Sequence, residues 1–197
     1  MGDNLYDLLA RRYVRDADIF HFFNHQGLYC LRVAKRTGAI TIVERSSAHP
    51  SYQHKLLNEE FAKYGLRYPF GHRALHYKHV TEYAEADYIM VASEFVRRTM
   101  LEAGLPAEKL LLVHLGFDPT RFQPREKKDD VFRVMYAGRI TLQKGVQYLL
   151  EAFSHLEIPR SELVLVGQIE PDAKVFLSEF KGNFRHVSYV PQSELAR

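Results

Sequence analysis

Apolar and polar positions follow one another in short blocks that switch between two periods. Leu5, Leu8 and Leu9 fall three and four apart, the spacing of one helix face. Ala17–Phe23 then reads as a strand, Leu28–Thr37 as a helix stopped by Gly38, and Ala39–Val43 as a second strand. A helical stretch follows His49-Pro50 and runs to Tyr64. His72–Ala86 predicts a helix with Val80, Tyr83 and Ala84 on one face, turning into a strand at Tyr88–Ala92. Ser93 has the chemistry and position to cap a helix over Glu94–Ala103, which Gly104 and Pro106 end. Leu110–His114 is the next strand.

The second half repeats the pattern. Val134-Met-Tyr-Ala137 is an apolar run ending at Gly138, as expected for a strand buried on both faces of a parallel sheet. Val146, Leu149, Leu150 and Phe153 recur at i, i+3, i+4 and i+7, one face of a helix. Arg185–Val190 predicts a further strand, and Ser193 a further helix cap. Strands alternating with helices of about ten residues predict βαβ units, hence an α/β fold with parallel sheets. Gln123–Asp130, QPREKKDD, is charged and turn-rich. Read as a linker, it divides the chain into domains 1–122 and 131–197.

Composition supports a packed core: 46% of 197 residues are hydrophobic and 26% charged, with no low-complexity tract. A net charge of +3 with dispersed basic residues argues against a nucleic-acid partner, as does the lack of a basic–aromatic stripe. No apolar run nears the ~20 residues that span a bilayer, and MGDNLYDLLARR carries acid where a signal peptide needs base. The single cysteine, Cys30, has no intrachain partner and fits a buried thiol in a reducing cytoplasm. With 13 Phe and 12 Tyr, some aromatics can reach a basic surface, so peripheral contact with anionic lipid stays open.

The chemistry concentrates after Val134–Ala137. Arg139 and Lys144 sit at the carboxyl end of a strand and the mouth of a helix, where open α/β sheets bind ligands and unpaired N–H groups meet anions. Arg139 offers a planar fork and Lys144 a mobile point charge. Gly138 and Gly145 let backbone approach closely. A diphosphate is the natural guest, although basic residues beside turns are also commonplace on surfaces.

Tyr136-Ala-Gly-Arg-Ile140, Lys144-Gly-Val-Gln-Tyr-Leu-Leu-Glu-Ala-Phe153 and Leu163-Val-Leu-Val-Gly167 closely resemble the group 1 (family 4) glycosyltransferases of the GT-B fold. Glu82-Tyr-Ala-Glu-Ala-Asp87, Ser93 and Gly116-Phe-Asp118…Phe122 fit the same family. The resemblance implies two Rossmann-like domains, an acceptor side in 1–122 and a nucleotide-sugar side in 131–197. It implies donor contacts at Gly138, Arg139, Lys144, Gly167 and Val190, with Arg139 and Lys144 offsetting charge on the leaving diphosphate. It also implies transfer to an acceptor hydroxyl of a saccharide or lipid-linked acceptor, with retention of configuration. No cofactor is implied beyond the nucleoside diphosphate sugar, and no carboxylate cluster of metal-ligand type stands out.

Relatives place a histidine at the end of a strand in the first domain, near the transferred sugar. Glu44 or His49 fits that place, and His25 lies on the acceptor side. The alternative is structural: Ser46 or Ser47 caps the next helix, and Glu44 pairs with Arg45 or another cation. Family members are roughly twice this length, with a Gly-rich loop near their start and a Glu-x7-Glu signature after the region matched here. Both domains are therefore expected to be incomplete, and the chain a fragment with little activity alone. A sugar-nucleotide epimerase of the same fold, or a nucleotide-binding module without catalysis, are the competing readings.

Overall fold

The structure, a computed structural model, describes residues 2–69, 73–120, 122–124, 126–180, 182–191 and 194. Two compact units divide the chain: Met1–Leu56 with Tyr68–Gly116, and Leu57–Arg67 with Phe117–Arg197. Both are parallel sheets flanked by helices, the α/β class that the alternation predicts.

In the first unit, β1 (Ile19–Phe23), β2 (Ile40–Arg45), β3 (Tyr88–Val91) and β4 (Leu110–Leu112) lie in that order, every neighbouring pair parallel. Helices α1 (Gly2–Ala10), α2 (Leu28–Arg36), α4 (Arg73–Glu85) and α5 (Glu94–Glu102) belong to this unit, and α3 (Pro50–Ala62) contributes residues to each unit. The core joins Leu31 of α2, Val43 of β2, Ile89 and Val91 of β3, Tyr83 of α4 and Met100 of α5. β-branched residues suit the middle strands because both faces are packed. Ser93 caps α5 as expected, its hydroxyl accepting from the Val96 N–H at 3.2 Å.

β2 runs further than the expected Ala39–Val43. Glu44 pairs in register with Phe23 on one side and Met90 on the other, so Glu44 and Arg45 end the strand rather than open the loop. Successive strand residues face opposite sides, which rules out the expected Glu44–Arg45 pair. The Glu44 carboxylate instead lies 3.1 Å from His21 Nε2 on β1. At the start of α3, His49 Nδ1 accepts from the Ser51 N–H at 3.3 Å, a role expected of Ser46 or Ser47.

The buried face of α4 also differs from expectation. Val80 and Ala84 are exposed, while Lys78, Glu82, Tyr83 and, just past the helix end, Ala86 face inward. Two of those four are charged groups with interior partners, so a search for apolar periodicity passes over the true face. His72, expected to open this helix, and Ser193, expected as a cap, lie outside the described residues.

The second unit orders β5 (Phe132–Ala137), β6 (Ser161–Val166) and β7 (Arg185–Val187) in one parallel sheet, with α6 (Val146–Ser154) and α7 (Ala173–Glu179). The strand buried on both faces is β6, whose Leu163, Val164, Leu165 and Val166 are all buried. β5 corrects the reading of Val134–Ala137: Val134 and Tyr136 are half-buried on one face, whereas Met135 on the other is 56% exposed. The strand is apolar by composition, yet one of its faces is uncovered among the described residues. β7 stops at Val187, which leaves Val190 in the segment beyond it.

Segment Leu57–Arg67 belongs to this unit through Glu60. Its carboxylate accepts from Gln147 Nε2 at 2.8 Å and Tyr148 Oη at 2.7 Å, and pairs with Lys63 at 2.7 Å. Leu57 and Phe61 are buried beside it. This explains why Gln147, a polar residue, occupies the inward face of α6 with Val146 and Leu150. Among the described residues, no helix is long and apolar enough to cross a membrane.

Candidate functional site

In the second unit the loop between β5 and α6 is built by two glycines and a neighbouring loop. Gly138 (φ 148°) and Gly145 (φ 71°) take left-handed conformations that side chains disfavour. Between them, Ile140 donates to the Gln168 carbonyl at 2.8 Å and accepts from the Glu170 N–H at 3.0 Å, locking 138–145 against 167–172. Ile140 and Leu142 plug the loop into the core. Asp172 then holds the turn before α6, its Oδ2 accepting from the Thr141 hydroxyl at 2.6 Å and the Leu142 N–H at 2.8 Å.

Fixing the apolar residues inward turns the cations outward. Arg139 and Lys144 are both exposed, at the carboxyl edge of β5 and immediately before α6. The Tyr136 hydroxyl donates to the Arg139 carbonyl at 2.8 Å, steadying its backbone. The Arg139 side chain, 63% exposed, stands 3.7 Å from Glu170 Oε1. Helix α6 follows Gly145 as its N-cap, which supplies no side-chain cap, and among the described residues no side chain accepts from its first N–H groups. Gly167, also on this edge, donates to the Val187 carbonyl at 2.8 Å, and its own carbonyl lies 2.8 Å from His186 Nε2. Asp172 and Glu170 went unnoticed in the sequence because they follow β6 by spacing that marks no motif.

The first unit has a second polar cluster, at the carboxyl edge of β1 and β2. Asn24 is its hub: its amide donates to Glu82 Oε2 at 2.8 Å, and its oxygen accepts from the Tyr83 hydroxyl at 2.7 Å and Arg45 Nη1 at 3.4 Å. Arg45 also donates to the carbonyls of Ser47 and Ala48, at 3.1 Å and 3.0 Å, and to Gln53 at 2.9 Å, shaping the turn that carries His49. His49 is buried, its ring 5.9 Å from Tyr83 and its N–H donating to Thr99 Oγ1 at 3.0 Å. Burial, with His76 and Arg45 nearby, lowers its pKa to about 4. His25 is half-buried in a left-handed conformation (φ 71°), its ring 5.3 Å from that of His79. Burial lowers the His79 pKa to about 3, helped by the charges of Arg45 and His25. The structure therefore gathers His25 and His49 around one polar network, while Glu44 faces the other side of the sheet with His21. Asn24 stands out in the sequence with His21 and His25 as a polar residue at the end of the first strand, whereas Glu82, Tyr83 and Arg45 were missed as its partners, since each looks like an ordinary helix or strand residue in isolation.

Helix α2 sets this edge apart from that of the second unit. The Tyr29 and Cys30 N–H groups in its first turn both donate to the Asp7 carboxylate, at 2.9 Å each, and Lys78 Nζ lies 3.1 Å from Asp7. The helix N-terminus, an anion site in many nucleotide-binding folds, is thus filled by the protein's own carboxylate. The thiol of Cys30, buried here as expected, is pushed up to about 12 by burial and by its contact with Asp7.

No protein-family model matches the chain, and no curated protein matches it. Solved structures do. Anabaena HepE in complex with UDP superposes with a TM-score of 0.63 at 12% identity, over 98% of this chain and 52% of that one. The lipopolysaccharide outer core galactosyltransferase WaaB, in its apo form, gives 0.56 at 17% identity, over 94% and 48%. A putative UDP-N-acetylglucosamine 2-epimerase from Listeria monocytogenes gives 0.52 at 10% identity, over 98% and 52%. The chain spans about half the length of these structures. At such identities the likeness speaks of fold alone, and that fold is GT-B: α/β units with parallel sheets of four and three strands.

Proposed function

We propose that the chain is the core of a glycosyltransferase that moves a sugar from a nucleoside diphosphate sugar to an acceptor hydroxyl, in polysaccharide, lipopolysaccharide or glycolipid synthesis. One observation carries this reading: the loop 138–145 is pinned on its apolar side and presents Arg139 and Lys144 beside the uncapped start of α6. A diphosphate set there meets a fork, a point charge and backbone N–H groups at once. As the sugar departs, negative charge grows on that diphosphate, and fixed cations stabilise it without reorganising. The donor side falls in the second unit because the equivalent helix start in the first is occupied by Asp7. The acceptor side is assigned to the cluster of His25 and His49. The reading is further supported by HepE, a solved structure of this fold in complexes with UDP and with UDP-glucose. Family 4 membership, retention of configuration and independence from metal ions are parts of the same proposal.

The test is calorimetric titration of UDP into the 197-residue chain. Wild type binds, and Arg139→Ala or Lys144→Ala weakens binding by ~10–100-fold, the scale of one charge-assisted contact. Absent binding, or equal binding by all three, would reject the donor site. A sugar-nucleotide epimerase is the second reading, favoured by two epimerases that share the fold at TM-scores of 0.52. Conversion of UDP-N-acetylglucosamine to an epimer without any acceptor would establish it. UDP binding with neither reaction, in any longer form of the protein, would point to a binding module.

A further inference from the structure

Between β1 and α2 the chain turns through four residues, 24–27, and every backbone N–H in that turn has an acceptor. Asn24 donates to the Glu44 carbonyl at 3.0 Å and Gln26 to the Phe23 carbonyl at 3.2 Å, both ordinary backbone bonds. The other two, from His25 and Gly27, go to a single side chain: the His25 N–H donates to Glu82 Oε2, and the Gly27 N–H to Glu82 Oε1 at 3.1 Å. Glu82 Oε2 takes the Asn24 amide as well. Three donors from one turn converge on one carboxylate, which lies on α4 more than fifty residues away and is wholly buried.

We infer that Glu82 is the positioning residue of this turn, holding His25 in its left-handed conformation and so setting the direction in which the imidazole leaves the edge of the sheet. Two arguments support it. His25 pays a conformational cost at φ 71° that a non-glycine residue sustains only where its surroundings dictate it. Its N–H bond to Glu82 acts directly on the backbone that carries this angle. Next, the turn cannot relax on the other side: a side chain on Gly27 would come within 2.7 Å of the Phe22 ring, so the backbone there is already in close contact. The residue type follows from the donors. Once ionised, a carboxylate has acceptors only, and all three partners are donors; an amide would set an NH2 group against an N–H at every pH. Burying a carboxylate is a poor route to stability, since an apolar residue of similar size does as well or better. Its presence is explained by what it orders. Tyr83, the next residue, completes the arrangement by donating to the Asn24 oxygen, which turns the Asn24 amide toward Glu82.

That His25 then meets an acceptor hydroxyl rests on the function proposed above; that Glu82 sets its direction does not. The test is NMR on the isotope-labelled 197-residue chain. In wild type, a through-hydrogen-bond coupling is expected between the Gly27 nitrogen and the Glu82 carboxyl carbon. In Glu82→Gln, Gly27 amide exchange is expected to quicken by ~10–100-fold and the His25 ring resonances to move, while Ile89 and Val91 in β3 keep their protection within about threefold. Uniform loss of protection in turn and β3 alike would mark Glu82 as merely stabilising and overturn the inference. So would unchanged exchange at Gly27. If Glu82→Gln does not fold, the wild-type coupling decides alone, its absence being fatal. UDP titration of the same samples separates the two ideas: no UDP binding with the coupling present removes the proposed function and leaves the positioning role standing.

Discussion

Gly167 packs so tightly against Gly138 that a methyl group added to it would lie 2.7 Å from the Gly138 carbonyl carbon, closer still to its oxygen. Two strand ends, β5 and β6, meet at this point, and Gly138 donates to the Val166 carbonyl at 2.9 Å across it. Gly167 also sits at φ 138°, which side chains rarely adopt. Gly167→Ala therefore meets both a backbone clash and torsional strain, each worth ~1–3 kcal/mol. Gly138→Ala has the torsional problem but only the end of the Tyr136 side chain, at 3.1 Å, as an obstacle. Urea unfolding should rank the two, with Gly167→Ala the more damaging and its UDP binding lost. Equal stability of both would contradict the packing described.

Lys78 and Asp7 form an ion pair buried on both sides, and Asp7 in turn holds the start of α2. Removing only the cation leaves a buried carboxylate with no opposite charge. Lys78→Met should destabilise the first unit by about 3–5 kcal/mol. Adding Asp7→Asn to that variant removes the stranded charge, so the double variant should lose less than the sum of the singles. Additive losses in denaturant would mean that the pair is not coupled.

How far the sequence foretold these features depends on the kind of signal. Strand–helix alternation was readable where a strand is a short apolar run and a helix a 3.6-residue stripe, as in β1, β2 and α6. Ser93 announced its cap by residue type, and Gly138 and Gly145 announced a loop whose φ angles only glycine favours. Long-range polar contacts left no such trace. Nothing in the spacing of Lys78 and Glu82 tells that their partners are Asp7, Asn24 and the 24–27 turn, since those pairings arise only once α1 and α4 pack on α2. Glu44 was misjudged for a similar reason: whether it ends a strand or opens a loop depends on Phe23 and Met90 flanking it in register. The exposed face of β5 was hidden because an apolar run looks the same whether one face is covered or two.

Acid and alkali should destabilise the first unit through different groups. His49 and His79 are held neutral, their pKa values lowered to about 4 and about 3 by burial. Unfolding frees them to take up protons near their ordinary 6.5, so the stability present above that pH is lost as the pH falls toward 4. Glu82 runs the opposite way. Burial raises its pKa to about 7 despite the hydrogen bonds from His25 and Gly27, above its ordinary 4.5. Its contribution is complete below 4.5 and is lost as pH rises through 7. Urea midpoints between pH 4 and 8 should thus pass through a maximum. His49→Asn, whose side-chain oxygen can still cap α3, should flatten the acid limb, and Glu82→Gln the alkaline one. Limbs of unchanged slope in those variants would show that other groups govern the profile.

Glu170 provides the sharpest check on the proposed diphosphate site, because it predicts a gain. Its carboxylate stands 3.7 Å from Arg139, on the loop that locks 138–145 in place. A diphosphate arriving at Arg139 must displace that carboxylate or share the guanidinium with it. The resident pair is long and its Arg139 side is exposed to solvent, so it stabilises the fold by about 1 kcal/mol at most, and the loop itself is held by the backbone bonds of Ile140. Glu170→Gln should leave the melting temperature nearly unchanged while UDP binds ~2–5-fold more tightly, as expected from removing a competing anion of that strength. Arg139→Ala should weaken UDP, and the double variant should behave like Arg139→Ala alone, since the carboxylate has then lost the cation through which it acts. Tighter binding in Glu170→Gln that persists without Arg139 would move the anion's contacts elsewhere on the loop, and weaker binding would mean that Glu170 orders the site instead of competing for it.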